Sequence, residues 1–170
     1  MDEITVRALS EDEWDHFRSV RLAALQESPE AFVASYEDEK DYDEDFWRLR
    51  LRRSKRLVAE RDGDTVGIVS VGPDPNEDGE NDTHAELFGL WVSPALRGKG
   101  VATTLVRAGA QDAADGGSTH LNYWVGTDNG RAVAFASSFG FRPTDRRRPV
   151  RIENEDDGDE EAMMVLPLSY

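Results

Sequence analysis

No cysteine occurs in this chain of 170 residues, and that absence excludes several designs at once. There is no disulfide framework, so nothing in the composition points to secretion. A thiol acyl-enzyme cannot form, and no Ser/His/Asp set with motif spacing offers another nucleophile. Long apolar runs are also missing: no stretch approaches the ~20 apolar residues of a membrane-spanning helix. The opening Met1-Asp2-Glu3 lacks the basic-then-apolar layout of a signal peptide. A cytoplasmic protein is the simple expectation. The three histidines, His16, His84 and His120, are scattered without ligand spacing, so no metal is expected.

Positive charge is in short supply. The chain carries 35 acidic residues against 20 basic ones, a formal net charge of −15. Such a surface repels phosphate backbones and anionic lipid, so neither nucleic acid nor membrane is expected as a partner. The acidity reads as a compositional habit before it reads as steering of a cationic substrate. The triplet Arg146-Arg147-Arg148 faces the acidic run Glu155 to Glu161 across an expected hairpin. Internal pairing or solvation accounts for both.

What is present is alternation and helical periodicity along the whole length. Ile4 to Leu9 alternates as a first strand. Ser10 with Glu13 three residues on has the form of a capping box, and Leu9 with Trp14 the form of a staple. A helix then runs to Ser28-Pro29, where the proline ends it. A second amphipathic helix covers Asp43 to Arg53 after an irregular segment holding Phe32 and Tyr36. Those two aromatics read either as a lid on the core or as the mouth of an acceptor site. Asp62-Gly63 joins two strands as a hairpin, and the polar stretch Pro73 to Thr83 is a loop. Ala85 to Val92 is a near-continuous apolar run, as in a central strand.

Beyond it a helix is expected from Gly98 to Asp115, with Gly109 letting it lie close on a sheet. Leu121 to Val125 forms a further strand and residues 129–139 a helix. Strand candidates at Arg147 to Ile152 and Ala162 to Leu168 flank an acidic turn at the end. There is no internal repeat and no linker, so residues 1–170 read as a single α+β domain.

The strand ending at Val92, a loop, and a helix opening at Arg97-Gly98-Lys99-Gly100 together suit an anion. A helix start has unpaired N–H donors and partial positive charge, glycines let the amides approach, and Arg97 or Lys99 can add formal charge. A P-loop is excluded because Gly-x-x-x-x-Gly-Lys-Ser/Thr is absent. A dinucleotide fingerprint is excluded because Thr103 stands where its third glycine belongs.

Arg97-Gly98-Lys99-Gly100-Val101-Ala102 satisfies Gln/Arg-x-x-Gly-x-Gly/Ala, and here the sequence resembles the GNAT acyltransferase superfamily. Leu90 to Leu96 looks like that family's fourth strand and loop. Asn129-Gly130-Arg131-Ala132, with Phe135 and Gly140-Phe141, is similar to its second cofactor-binding segment. The likeness is good from about residue 57 to 143 and looser outside.

The resemblance implies a three-layer α/β/α fold. Its mixed, mostly antiparallel sheet has about seven strands, and strands 4 and 5 splay around acetyl-coenzyme A. It implies pyrophosphate on the amides from Arg97 to Thr103 and pantetheine along the backbone of Leu90, Trp91 and Val92. Asn129, Ala132 and Phe135 would flank the arm. It also implies an amine acceptor, small molecule or peptide, and relatives that frequently dimerise. Phe32, Tyr36 and Tyr123 are the acceptor-side candidates.

Attack on a thioester requires a route for the ammonium proton. Glu86 is the only ionisable side chain within the run Ala85 to Val92. Apolar flanks desolvate a carboxylate and raise its pKa toward that of a useful base. The family often carries a glutamate at this spacing. A frayed strand start or structural pairing with arginine is the other reading of Glu86. Where many relatives place a tyrosine that protonates the thiolate, this chain has Ala136. Ser137, Tyr123 or water would have to serve, and His120 could relay a proton or be structural. The departure leaves two expectations: a direct N-acetyltransferase, or a catalytically weak acyl-coenzyme A module acting as sensor or interaction domain.

Overall fold

The computed structural model describes residues 3–28, 35–73, 84–127, 129–149 and 160–168. Strand β1 (Thr5–Ala8) leads through Ser10 into a 3-10 turn and then α1 (Trp14–Glu27). The Ser10 amide donates to the Glu13 carboxylate at 3.1 Å, the reach-back half of a capping box. Leu9 is buried in the same cluster that Trp14 packs against, as a staple requires. The single turn α2 (Tyr36–Glu39) precedes α3 (Glu44–Arg53), whose Asp43 side chain accepts from the Phe46 amide at 3.0 Å. β2 (Lys55–Arg61) and β3 (Asp64–Pro73) form the expected hairpin, with Arg61 opposite Asp64.

β4 (His84–Val92), α4 (Val101–Asp115), β5 (His120–Gly126), α5 (Gly130–Phe139), β6 (Arg142–Pro149) and β7 (Glu160–Pro167) complete the chain. The seven strands lie in the order β1-β2-β3-β4-β5-β7-β6, antiparallel except for β4 beside β5. The sheet separates two apolar clusters. Leu57, Val69, Leu87 and Leu121 face α4 and α5, whereas Val58 and Ile68 face α1 and α3. Period-2 alternation thus builds the expected three layers. α4 lies so close that a Cβ at Gly109 would come within 2.9 Å of Leu87 Cδ1.

Two boundaries differ from expectation. α4 begins at Val101 rather than Gly98, because Gly98 and Gly100 adopt φ of +80° and +88°, which no right-handed helix contains. β6 begins at Arg142 rather than Arg147. It is the sheet's edge strand, where Pro143 removes no interior hydrogen bond. The loop 74–83, most of the acidic turn and Phe32 lie outside the described residues. Arg148 stands opposite Glu161 in the β6–β7 register.

Candidate active site

β4 and β5 share only four rungs, from His84 beside His120 to Leu87 beside Tyr123. The ladder then stops, although β4 continues to Val92 and β5 to Gly126. The cause is visible in β4 itself. Ala85 and Leu87 point toward α4, yet so do Leu90 and Val92, so the alternation changes phase between them. Ile68 pairs with Trp91 and Ser70 with Phe88, leaving Gly89 and Leu90 opposite the single residue Val69. This is a β-bulge, and Gly89 carries it at φ +66°. The bulge bends β4 away from β5 and opens a fork. Backbone groups along its inner edge are released from the ladder and call for a hydrogen-bonding ligand.

At the far end of β4 a 3-10 turn (Pro94–Leu96) leads into the glycine loop. Gly98 and Gly100, both exposed and both at positive φ, curl the backbone before α4. Successive amides in such a curl form an anion-binding concavity. The first intrahelical bond closes from Thr104 N to Gly100 O at 3.1 Å, so the preceding amides stay available. Val101 is buried and offers only its backbone, Ala102 and Thr103 are half-buried, and Lys99 is exposed. Among the described residues Lys99 forms no ion pair.

Arg97 has a different position from the one its charge suggested. Its Nε donates to the Val92 carbonyl at 3.0 Å, and its Nη2 reaches Glu27 Oε1 at 2.5 Å and Ser28 Oγ at 3.1 Å. Trp91 Nε1 donates to the same Glu27 oxygen at 3.0 Å. Hydrogen bonds from Ser28, Trp91 and Arg97 hold the Glu27 carboxyl below its ordinary range. Arg97 and Trp91 therefore tie the glycine loop and the end of β4 to the C-terminus of α1. The side chains of both are engaged in these bonds.

Between α4 and α5 lies a cavity of about 280 Å³ lined by Thr103, Arg107, Phe135, Ser138 and Phe139. Thr103 and Phe135 are cofactor-side candidates of the sequence reading, whereas Arg107 is not. It stands four residues past Thr103, one turn along the same helix face, and following that face from the glycine loop finds it. Asn129 Oδ1 accepts from the Ala132 amide at 3.1 Å, capping α5. That leaves the Asn129 amide NH₂ as its group for a ligand.

Glu86 pairs in register with Gly72 on one side and Asn122 on the other, one rung before the fork opens. Alternation turns it toward the α1 face, together with Phe88 and away from Leu87. A polar row continues from it. His84 Nδ1 lies 3.1 Å from Asn122 Oδ1, the His84 and His120 rings stack at 4.6 Å, and His120 Nδ1 lies 2.8 Å from Thr119 Oγ1. Among the described residues no three His, Asp or Glu side chains converge as a metal site would require.

The acceptor-side candidates are not brought together. Tyr36 packs in the α1 and α3 cluster, whereas Tyr123 belongs to the α4 face, 5.8 Å from the Phe141 ring. The sheet stands between them. Burial raises the Tyr123 pKa, so its hydroxyl keeps its proton. Ala136 is fully buried in the core and Ser137 is exposed on the next step of α5. Sequence reading also missed a cavity on the α1 face of the bulge, lined by Arg21, Arg50 and Arg56.

Residues 11–141 match the Acetyltransferase (GNAT) family. The chain belongs to that family. An N-acetyltransferase of Archaeoglobus fulgidus, itself uncharacterized, is 28% identical over 144 residues, covering 85% of this chain and 93% of the relative. A second uncharacterized N-acetyltransferase, from Methanocaldococcus jannaschii, is 26% identical over 139 residues. That match covers 81% of this chain but 60% of the longer archaeal protein. Among solved structures, yncA of Salmonella typhimurium, determined with its cofactor acetyl-CoA, superposes with a TM-score of 0.74 at 20% identity. It covers 98% of this chain and 94% of its own. The seven-stranded sheet of this GNAT protein, with its one parallel pair at the fork, agrees with that neighbour's fold. No helix among the described residues is long and apolar enough to cross a membrane.

Proposed function

We propose that this GNAT protein moves an acetyl group from acetyl-coenzyme A directly to a primary amine of a small molecule or peptide, within one ternary complex. The observation that carries this reading is the fork. It has an open strand edge at Leu90 to Val92, a glycine cradle beyond it, and a glutamate one rung behind its apex. Pantetheine pairs with the open edge, the pyrophosphate lies on the cradle amides, and the thioester carbonyl stands at the apex. The yncA structure was determined with acetyl-CoA, which supports the same co-substrate here.

Glu86 takes a proton from the substrate ammonium, directly or through water. The freed nitrogen lone pair attacks the thioester carbonyl carbon, the C–N bond forms, and the C–S bond breaks. Coenzyme A leaves as thiolate and takes up a proton, the nitrogen gives up its second proton, and Glu86 passes the first to solvent, leaving a neutral amide and a free thiol. Tyr123, at the last rung, retains a proton that it can return; otherwise water supplies it. A general acid contributes roughly 10²–10⁴-fold, while juxtaposing two substrates supplies roughly 7–11 kcal/mol. The alanine at position 136 therefore slows such an enzyme without abolishing it.

The test is release of free thiol with formation of N-acetylated product, across a panel of amines, for the wild type and Glu86→Gln. Turnover by the wild type with a large loss in the variant supports the reading. Acetyl-coenzyme A binding with no thiol release on any amine would favour the sensor module instead.

A further inference from the structure

A cavity of about 160 Å³ sits between α1, α3 and the sheet, and its floor is Phe88 and Gly89 at the bulge. Three guanidinium groups line it. Arg21 and Arg50 converge on the buried carboxylate of Glu39 through four hydrogen bonds of 2.8 to 3.2 Å. Arg56 is different. It is only 9% exposed, its Nη1 donates to Ser70 Oγ at 2.7 Å, and its Nη2 reaches the Arg50 carbonyl at 3.3 Å. Its Nε is buried with no hydrogen-bond partner. No carboxylate among the described residues pairs with it. The rings of Phe17 and Phe88 flank the guanidinium at 4.9 and 5.2 Å.

Burying a cation without an anion is expensive. Glu39 bonds Arg21 and Arg50 directly but makes no direct bond to Arg56, whose own bonds go to Ser70 and the Arg50 carbonyl. Burial first, then the charges of Arg50 and Arg21, push the Arg56 pKa down to about 9. It stays cationic at neutral pH, and its Nε–H has no hydrogen-bond partner. An anion seated beside Arg56 would offset its buried charge and take up the Nε–H.

We infer that this cavity seats a carboxylate carried by the amine acceptor, so that the substrate class is a small amino acid. The inference rests on the acetyl-transfer reading of the fork and narrows its acceptor. The cavity, about 160 Å³, has room for a carboxylate with a few carbons. Glu86 and Phe88 share a strand face, and same-face neighbours lie about 7 Å apart. An α-amino acid with a hydrogen bond of roughly 2.8 Å at each end has a comparable span. Its carboxylate rests on Arg56 above Phe88, and its ammonium faces Glu86 and the fork. The acidic exterior would suit a polyamine, but this interior does not.

The experiment measures thiol release from saturating acetyl-coenzyme A with small L-amino acids, with their primary amides, and with spermidine. The wild type and Arg56→Met are compared, and propionate is added as a non-nucleophilic probe. Amino acids are expected to exceed their amides in kcat/KM by about 10- to 100-fold, the range for a hydrogen bond to a charged group. Arg56→Met should erase that ratio, and propionate should compete with the amine but not with acetyl-coenzyme A. Amides or spermidine turned over as well as amino acids would overturn the carboxylate seat and leave acetyl transfer standing. No turnover of any amine would overturn the transferase reading, and titration of propionate into the acetyl-coenzyme A complex then decides the seat. Saturable binding lost in Arg56→Met supports it, and no binding overturns it. Should Arg56→Met fail to fold, the wild-type ratio and the propionate competition decide alone.

Discussion

Arg97 and Glu27 are joined by a hydrogen-bonded ion pair of 2.5 Å that links residues 70 apart in sequence. The pair connects the loop before α4 to the last turn of α1, one element on each side of the sheet. Arg97 also holds the Val92 carbonyl, so the end of β4 is fixed by the same side chain. Arg97, whose charge the sequence offered to an anion, is a strut that joins the glycine loop, the end of β4 and α1.

Substitution separates the two roles. Arg97→Met should lower the melting temperature and weaken binding of desulfo-coenzyme A together. Lys99→Met should leave the melting temperature unchanged and weaken that binding by up to about 5-fold, as an exposed charge allows. Calorimetry and titration of the two variants give the comparison.

Glu86→Gln keeps the shape of the strand and removes the base. A fall in kcat of about 10²–10⁴-fold is expected, with the dissociation constant for acetyl-coenzyme A unchanged. A variant with wild-type kcat would make Glu86 a structural residue of the polar row at His84 and Asn122.

Glu39 is 2% exposed and holds both Arg21 and Arg50. Burial alone would raise its pKa, but hydrogen bonds from Arg50 and Arg21 outweigh it and leave the value lowered. A lowered folded-state pKa means that the contribution is complete above the unfolded value of about 4.3. It is lost as pH falls through the folded value. Glu39→Gln should therefore destabilise the protein by about 3–5 kcal/mol at pH 7. In urea melts the gap to wild type should narrow below pH 4.

Gly89→Ala isolates the bulge. A Cβ there would find its nearest neighbours at 3.6 Å or beyond, so the space is open and the cost is in the backbone at φ +66°. A stability loss of about 1–2 kcal/mol is expected. A larger fractional loss in kcat/KM should accompany it, because relaxing the bulge narrows the fork.

Much of this was legible in the sequence. Glu86 stood out as the one charge in an apolar strand, and the Asp62-Gly63 hairpin, the α1 cap and the β4-loop-α4 order followed from local chemistry. The bulge was hidden because Ala85 to Val92 is apolar on both faces, so a change of alternation phase leaves no trace in composition. The start of α4 was misplaced because positive φ at Gly98 and Gly100 is a conformation that glycine permits but does not announce. The arginine cavity was illegible for another reason. Arg21, Arg50 and Arg56 lie on three elements, and each alone reads as part of a solvated face.

The claim that both substrates meet in the fork is tested most directly by initial velocities over a grid of acetyl-coenzyme A and acceptor concentrations, followed as thiol release. Lines that intersect in double-reciprocal form, with no thiol released in the absence of amine, are the result expected for direct transfer in a ternary complex. Parallel lines, or thiol release that needs no amine, would contradict it.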